Sequence, residues 1–247
     1  MRNFTTEYGT LCIGSKEELF KEAVAIAERQ RKEAATSEFT WALTGGSTPA
    51  EFYRYVVANK SLSPELMETT AWFTSDERAV PLESDESNFG NASRMLLDPL
   101  GIDTDLRYPW PVDHEPDEAA PLFNDIWKNQ FSEFRCFDLC FLGMGDDCHT
   151  ASIFPQSPLI ENKGKDFFAY IDVPGKGPRL TITRAGFEKC GKIVPMVLGK
   201  GKALALRSVL EELYEPREKP IQMLREYADR TIWLVDEEAA SELSELE

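Results

Sequence analysis

The sequence predicts an α/β protein built on a mostly parallel sheet, and three observations predict it. Apolar, strand-like runs alternate with helix-like stretches along the 247 residues, the pattern of repeated β–α–β winding. Two of those runs, at residues 39–43 and 137–142, break into glycine-bearing turns, TGGSTP and GMGDD. That is how a strand covered on both faces ends at the ligand-binding edge of an open sheet. With 42% hydrophobic and 28% charged residues, and neither repeat nor linker, the chain is expected to form one domain over residues 1–247.

The elements follow in order. A short first strand is expected at residues 10–14. Ser15 then fits a helix N-cap with Glu18 three residues on, a capping box opening an amphipathic helix to about residue 35. Strand 39–43 leads through TGGSTP into a helix over 50–58. Strand 71–74 runs into Asp76-Glu77-Arg78, and residues 87–97 read as helix. Residues 108–121 hold four prolines (Pro109, Pro111, Pro116, Pro121) and read as a loop, followed by a helix over 122–133. After the 137–142 strand, Thr150 and Ser152 are placed to cap the next element. Residues 167–173 and 179–183 form a small antiparallel hairpin across a Pro/Gly turn, and strand 192–198, helix 200–213 and a last strand 231–235 close the order.

Composition excludes several classes of function. The net charge is −16, from 43 acids against 27 bases, and six acids without a base lie in the last twelve residues. Non-specific nucleic-acid binding rests on Lys and Arg contacts to phosphates, so such a partner is not expected. No apolar run reaches membrane-spanning length and no basic-then-apolar leader is present, which points to the cytoplasm and away from a membrane. The five cysteines are odd in number and scattered without C-x-x-C spacing, a free-thiol pattern. With two histidines, a zinc site is not expected.

Against that acidic background, an anionic ligand needs local, identifiable basic contacts. TGGSTP sits between a strand and a helix with proline in its first turn. Gly45 and Gly46 let the backbone approach a ligand, the helix-opening amides make an anion site, and Ser47 and Thr48 add hydroxyls. The Gly-Lys-Ser/Thr ending of a Walker loop is absent. Arg78 lies beside Asp76 and Glu77 at the end of a strand, a surface ion pair or an arginine held by acids and aimed at developing negative charge. Asn88 stands as a helix cap or a ligand contact. Arg179, at a strand start, and Lys202, in GKGK at a strand-to-helix junction, are phosphate partners by type, one a fork and one a point charge. Asp147 and His149 follow GMG at the carboxyl end of a strand, while His114, among acids in the proline-rich loop, reads as a solvated residue.

The ordered set TGGSTP, SDERAVPLESDESNFGNASRMLL, LGMGDDCHTASIFP, PRLTIT and GKGKA, spread over residues 41–206, resembles the 6-phosphogluconolactonase family, which shares its fold with the glucosamine-6-phosphate deaminases. The HTASIFP ending favours the lactonase branch. The resemblance implies a Rossmann-like sheet with helices on both faces, no cofactor, no metal, and a small sugar-phosphate lactone as the partner of a monomer or small homo-oligomer. It implies hydrolysis of 6-phospho-D-glucono-1,5-lactone to 6-phosphogluconate in the pentose phosphate pathway. It also implies roles: His149 as the base that activates water, Asp147 and Arg78 as catalytic partners, and Gly45, Gly46, Ser47, Thr48, Asp76, Asn88, Arg179 and Lys202 as substrate and phosphate contacts.

The chemistry suits these residues. A neutral histidine, ordinary pKa about 6.5, takes a proton from water at neutral pH. An arginine or loop amides stabilise the oxyanion. No Gly-x-Ser-x-Gly elbow is present, so water attack is expected over an acyl-enzyme. Two residues depart from the family pattern, Cys148 between Asp147 and His149, and Gln156 after Pro155, both where glycine is usual. Adjacency to His149 makes Cys148 a candidate for oxidative sensitivity, though not a nucleophile. The competing readings are an amino-sugar-phosphate isomerase-deaminase and a non-catalytic sugar-phosphate binder in which Cys148 has disabled the turn.

Overall fold

The computed structural model describes residues 1–34 and 38–244. Its elements are β1 (Arg2–Thr6), β2 (Gly9–Gly14), α1 (Lys16–Glu33), β3 (Phe39–Leu43), α2 (Ser47–Asn59), α3 (Pro64–Thr69), β4 (Thr70–Thr74), β5 (Asp76–Arg78) and α4 (Asn88–Ala92). Then follow α5 (Pro116–Gln130), β6 (Leu139–Leu142), β7 (Phe168–Val173), β8 (Gly177–Ile182), α6 (Arg184–Lys189), β9 (Lys192–Val197), α7 (Ala203–Glu211) and β10 (Ile232–Asp236). Seven strands form one sheet in the order β1-β2-β10-β9-β6-β3-β4, parallel throughout except for β1, which pairs antiparallel with β2. The carboxyl ends of β2, β3, β4, β6, β9 and β10 therefore share one edge.

Side-chain alternation explains why the central strands read as apolar without a break. Trp41, Leu43, Trp72, Leu139 and Phe141 face the layer built from α1, α2 and α4. Ala42, Phe73, Cys140 and Leu142 face the layer built from α5 and α7. Both faces are covered, so both phases of the period are apolar. Trp41 stacks on Trp72 at 5.1 Å on one face, and Phe73 meets Trp127 edge-on at 5.1 Å on the other.

The capping box at Ser15 and Glu18 forms as expected, and Glu18 also accepts the Met1 amino group at 2.8 Å. The expected end of that helix at residue 35 falls outside the described residues, as do residues 245–247 of the acidic tail. Four readings need correction. β1 and the short α3 were not foreseen, because β1 is a mostly exposed, polar edge strand without an apolar run and α3 is a six-residue helix with a single buried side chain, Leu66. The helix expected at 122–133 begins at Pro116, because proline is favoured in a first turn, and Pro121 sits inside it at the loss of one bond to the Asp117 carbonyl. The 87–97 helix is α4 followed by a turn of π-helix at Ser93–Leu97. The expected hairpin is a three-stranded sheet, β5-β8-β7, because Asp76–Arg78 pairs antiparallel with β8.

That small sheet matters for the site. It branches from the carboxyl end of β4, sets Arg78 directly opposite Arg179, and folds β5 back over the edge where the parallel strands end.

Candidate active site

Four segments meet at the carboxyl edge of neighbouring strands: the loops 44–46 after β3, 143–151 after β6 and 198–202 after β9, and β5, which follows β4 after the single residue Ser75. They enclose a cleft of about 210 Å³ reached by Gly45, Asp76, Arg78, Asn88, His149 and Lys202. With Gly46, seven of the residues singled out in the sequence thus converge, while Arg179 and Asp147 stand behind the lining, opposite Arg78 and against the His149 ring. Ser47 and Thr48 do not: they line a neighbouring cleft with Lys16 and Asp236, because α2 begins at Ser47 and turns them away. His114 belongs to neither cleft.

The β5 side is built from buried acids. Glu77 is fully buried and accepts four donors: the amides of Arg78 (2.8 Å), Asn88 (2.7 Å) and Phe89 (2.8 Å) and the Ser87 hydroxyl (3.0 Å). Burial raises its pKa against the pull of those amides. It therefore holds the opening of α4, not Arg78 as expected, whose guanidinium instead donates to the Glu86 carbonyl. Asp76, 6% exposed, accepts the Ser152 hydroxyl at 2.6 Å and the Asn88 amide at 3.3 Å. Burial pushes its carboxyl up, opposed by the Ser152 bond and by the charge of Arg78. Burial, and repulsion from Arg78 across the β5–β8 pairing, lower the pKa of Arg179.

Asn88 is not a cap. Ser87 caps α4, and Asn88 uses its amide to hold Asp76 against the Gly45 turn. A Cβ on Gly45 would lie 1.8 Å from Asn88 Oδ1, so only glycine fits there. Tyr53 fixes the start of the same turn through the Thr44 carbonyl at 2.6 Å.

The β6 side is a tight turn. Gly145 N–H donates to the His149 carbonyl and Cys148 N–H to the Gly145 carbonyl, which folds His149 back over the glycine. A Cβ on Gly145 would lie 2.0 Å from His149 Nδ1. Nδ1 meets Asp147 Oδ1 at 2.5 Å, and the ring stacks on Phe154 with centroids 4.2 Å apart. Burial opposes the charge of Asp147, but the hydrogen bond and charge of His149 together with the backbone amides outweigh it and bring the carboxyl below the ordinary range. A carboxylate on Nδ1 favours the tautomer with the proton there and leaves the Nε2 lone pair as an acceptor.

Cys148 takes the left-handed conformation expected where glycine is usual, φ +62°, as does Gln156 at φ +65°. Its thiol points away from the cleft, 3.6 Å from Ser208 Oγ and 3.8 Å from the Ala205 carbonyl of α7, and burial raises its pKa. A buried thiol with a raised pKa is a poor target for oxidation, which removes the sensitivity inferred from adjacency. Thr150 and Ser152 cap no helix. Thr150 binds the Gly143 carbonyl and Ser152 binds Asp76, since the chain continues as turns to Ser157, which caps the next short 3₁₀ segment. Lys202 reaches the cleft but is paired with Asp146 at 2.5 Å. Among the described residues no three His, Cys, Asp or Glu side chains are grouped to hold a metal ion, and no helix is long and apolar enough to cross a membrane.

Fold and cleft together define an α/β enzyme with its site outside the carboxyl ends of parallel strands. Residues 14–233 match the sequence model of the family described as glucosamine-6-phosphate isomerases/6-phosphogluconolactonase, and the chain belongs to that family. It is similar to a 6-phosphogluconolactonase of Synechocystis, 30% identical over 224 residues that cover 89% of this chain and 88% of the relative. It is similar to that of Bos taurus, 31% identical over 213 residues, 83% of this chain and 81% of the relative. A solved 6-phosphogluconolactonase from Trypanosoma cruzi shares the fold, with a TM-score of 0.82 at 23% identity over 98% of this chain and 99% of that one.

Proposed function

We propose that this protein hydrolyses 6-phospho-D-glucono-1,5-lactone to 6-phospho-D-gluconate in the oxidative pentose phosphate pathway, by attack of water on the lactone carbonyl. The observation that carries the mechanism is the His149–Asp147 pair at 2.5 Å, facing a cleft that also holds a guanidinium. His149 Nε2 takes the proton of the attacking water while Nδ1–H stays on Asp147. Arg78 stabilises the oxyanion, and His149 returns the proton to the ring oxygen as the ester bond breaks. Asp76, held by Ser152 and Asn88, sets the field around Arg78 and Arg179. The Gly45–Gly46 turn, Arg179 and Lys202 are assigned to substrate contact, Ser47 and Thr48 through their helix-opening backbone. The protein acts as one domain, in the cytoplasm, as a monomer or small homo-oligomer without a cofactor.

The family description also covers amino-sugar-phosphate isomerases, so the test carries two arms. Freshly generated 6-phosphogluconolactone should disappear faster with protein than in buffer, and glucosamine 6-phosphate should release no ammonia. Ammonia release without lactone acceleration would overturn the proposal.

A further inference from the structure

The imidazole of His149 is restrained from three directions. Asp147 meets Nδ1 at 2.5 Å, but its side chain is 45% exposed, and one hydrogen bond at a ring edge leaves the ring free to tilt about that contact. At the Nδ1 and Cε1 edge the ring packs against Gly145, where a Cβ would lie 2.0 Å and 2.3 Å from those atoms. The third restraint comes from the turn after His149. Ile153 N–H donates to the Thr150 carbonyl at 2.9 Å and Thr150 N–H returns the bond at 3.4 Å, an isolated antiparallel bridge with Ala151 left-handed at φ +46°. Residues flanking such a bridge become neighbours across the turn, which brings 149 and 154 side by side. The Phe154 ring then lies on the imidazole, with centroids 4.2 Å apart and planes 26° apart. Phe154 is itself held in place. Gln156 N–H, two residues on, donates to the Arg217 carbonyl at 2.8 Å, and the Lys176 ammonium, from the turn between β7 and β8, sits 5.1 Å from the Phe154 centroid. Phe154 stands outside the lining of the cleft, so its ring touches the base and not a ligand.

We propose that Phe154 is a positioning residue for the general base: its ring fixes the plane of the His149 imidazole, so that Nε2 faces the cleft while Nδ1–H stays on Asp147. This rests on the hydrolase reading above and deepens it. Hydrogen bond and stack constrain different motions. Asp147 sets the tautomer and the rotation of the ring within its own plane, and Phe154 sets the plane. Proton transfer from water depends steeply on the direction of the accepting lone pair, so a tilted imidazole slows the reaction without changing how the substrate is held. Stacking of two aromatic rings has a preferred geometry that apolar burial lacks. An aliphatic side chain of similar bulk would fill the space and leave the tilt free.

The test uses Phe154→Leu and Phe154→Met, which keep apolar bulk without a ring, and Phe154→Tyr, which keeps the ring; melting curves check that each folds. The chain has two histidines, so its imidazole C–H signals in a proton NMR spectrum are few, and His114→Gln assigns them. The proposal expects the ring protons of His149 upfield of those of His114 in wild type, shifted by the ring current of Phe154. That shift should persist in Phe154→Tyr and vanish in Phe154→Leu and Phe154→Met. It expects kcat for 6-phosphogluconolactone to fall about tenfold to a hundredfold in the two aliphatic variants with KM little changed, as misplacement of a catalytic group should, and to recover in Phe154→Tyr. An unchanged kcat in the aliphatic variants once the upfield shift is lost would overturn it, as would a loss confined to KM. An equal fall in Phe154→Tyr with the shift kept, or no upfield shift in wild type, would overturn it too. Failure of wild type to open the lactone with the shift present would count against the hydrolase reading itself, a separable result because the spectrum reports the stack without turnover.

Discussion

The two acidic segments of the site, Asp76-Glu77-Arg78 in β5 and Asp146-Asp147-Cys148-His149 in the turn after β6, use the same residue types in opposite ways. In the first, the carboxylates are buried and satisfied by amides and hydroxyls from elsewhere in the fold, and burial raises their pKa values. In the second, the side chains of Asp147 and Asp146 are 45% and 79% exposed and each holds one partner, the His149 ring and the Lys202 ammonium. The first segment is architecture that fixes where Arg78 and Asn88 sit. The second tunes individual side chains at the mouth of the cleft. Acids that look alike in sequence differ by where their acceptors are spent.

Substitutions in the two segments should separate along that line. The largest effect belongs to the second: His149→Ala should lower kcat by about 10²–10⁴-fold, the range of a lost general base, with an unchanged melting temperature. In the first segment, Glu77→Ala strands three amides and a hydroxyl, so denaturant titration should show a stability loss of about 3 kcal/mol or more. A substitution at Glu77 that left stability intact while abolishing turnover would erase the contrast. Asp147→Asn should cost about tenfold to a hundredfold in kcat with KM little changed, since it disturbs the orientation and tautomer of His149 and not substrate binding.

The pH dependence of stability should run in opposite directions for the two aspartates. The native pKa of Asp76 is raised, so its contribution is full below the ordinary carboxylate value of about 4 and is lost as pH rises through the native value. The native pKa of Asp147 is lowered, so its contribution is present above about 4 and is lost as pH falls through the native value. In melts from about pH 3 to 7, the margin of wild type over Asp76→Asn should shrink toward neutrality, and its margin over Asp147→Asn should shrink toward acid. Parallel slopes would contradict the assignment. The smallest effect is expected from Cys148→Gly, which relieves a left-handed backbone but gives up a buried thiol contact, a net change within about 1 kcal/mol and near-normal turnover.

What was legible in the sequence follows the same contrast. The Gly45 turn, Arg78, Asp147 and His149 could be read because they sit directly after apolar runs at a shared sheet edge, and local order placed them. The partners of Asp76 could not, since Ser152 lies 76 positions away and reaches it only through the fold. Glu77 read as one more acid beside an arginine, because nothing local shows that the amides of Asn88 and Phe89 turn back toward it. Proline at 116 and 121 read as loop because it breaks helices in their interiors, whereas here one opens a helix and the other lies early in it. Ser47 and Thr48 were placed at the right turn but face the neighbouring cleft, a matter of helix phase that spacing alone does not settle.

The most direct test of the central claim is the opening of freshly prepared 6-phospho-D-glucono-1,5-lactone, followed in wild type, in His149→Ala and in buffer. The account predicts clear acceleration by wild type and a variant that falls back toward the buffer rate with its fold intact. Acceleration that survives in His149→Ala would contradict the assigned base, and no acceleration by wild type would contradict the assigned reaction.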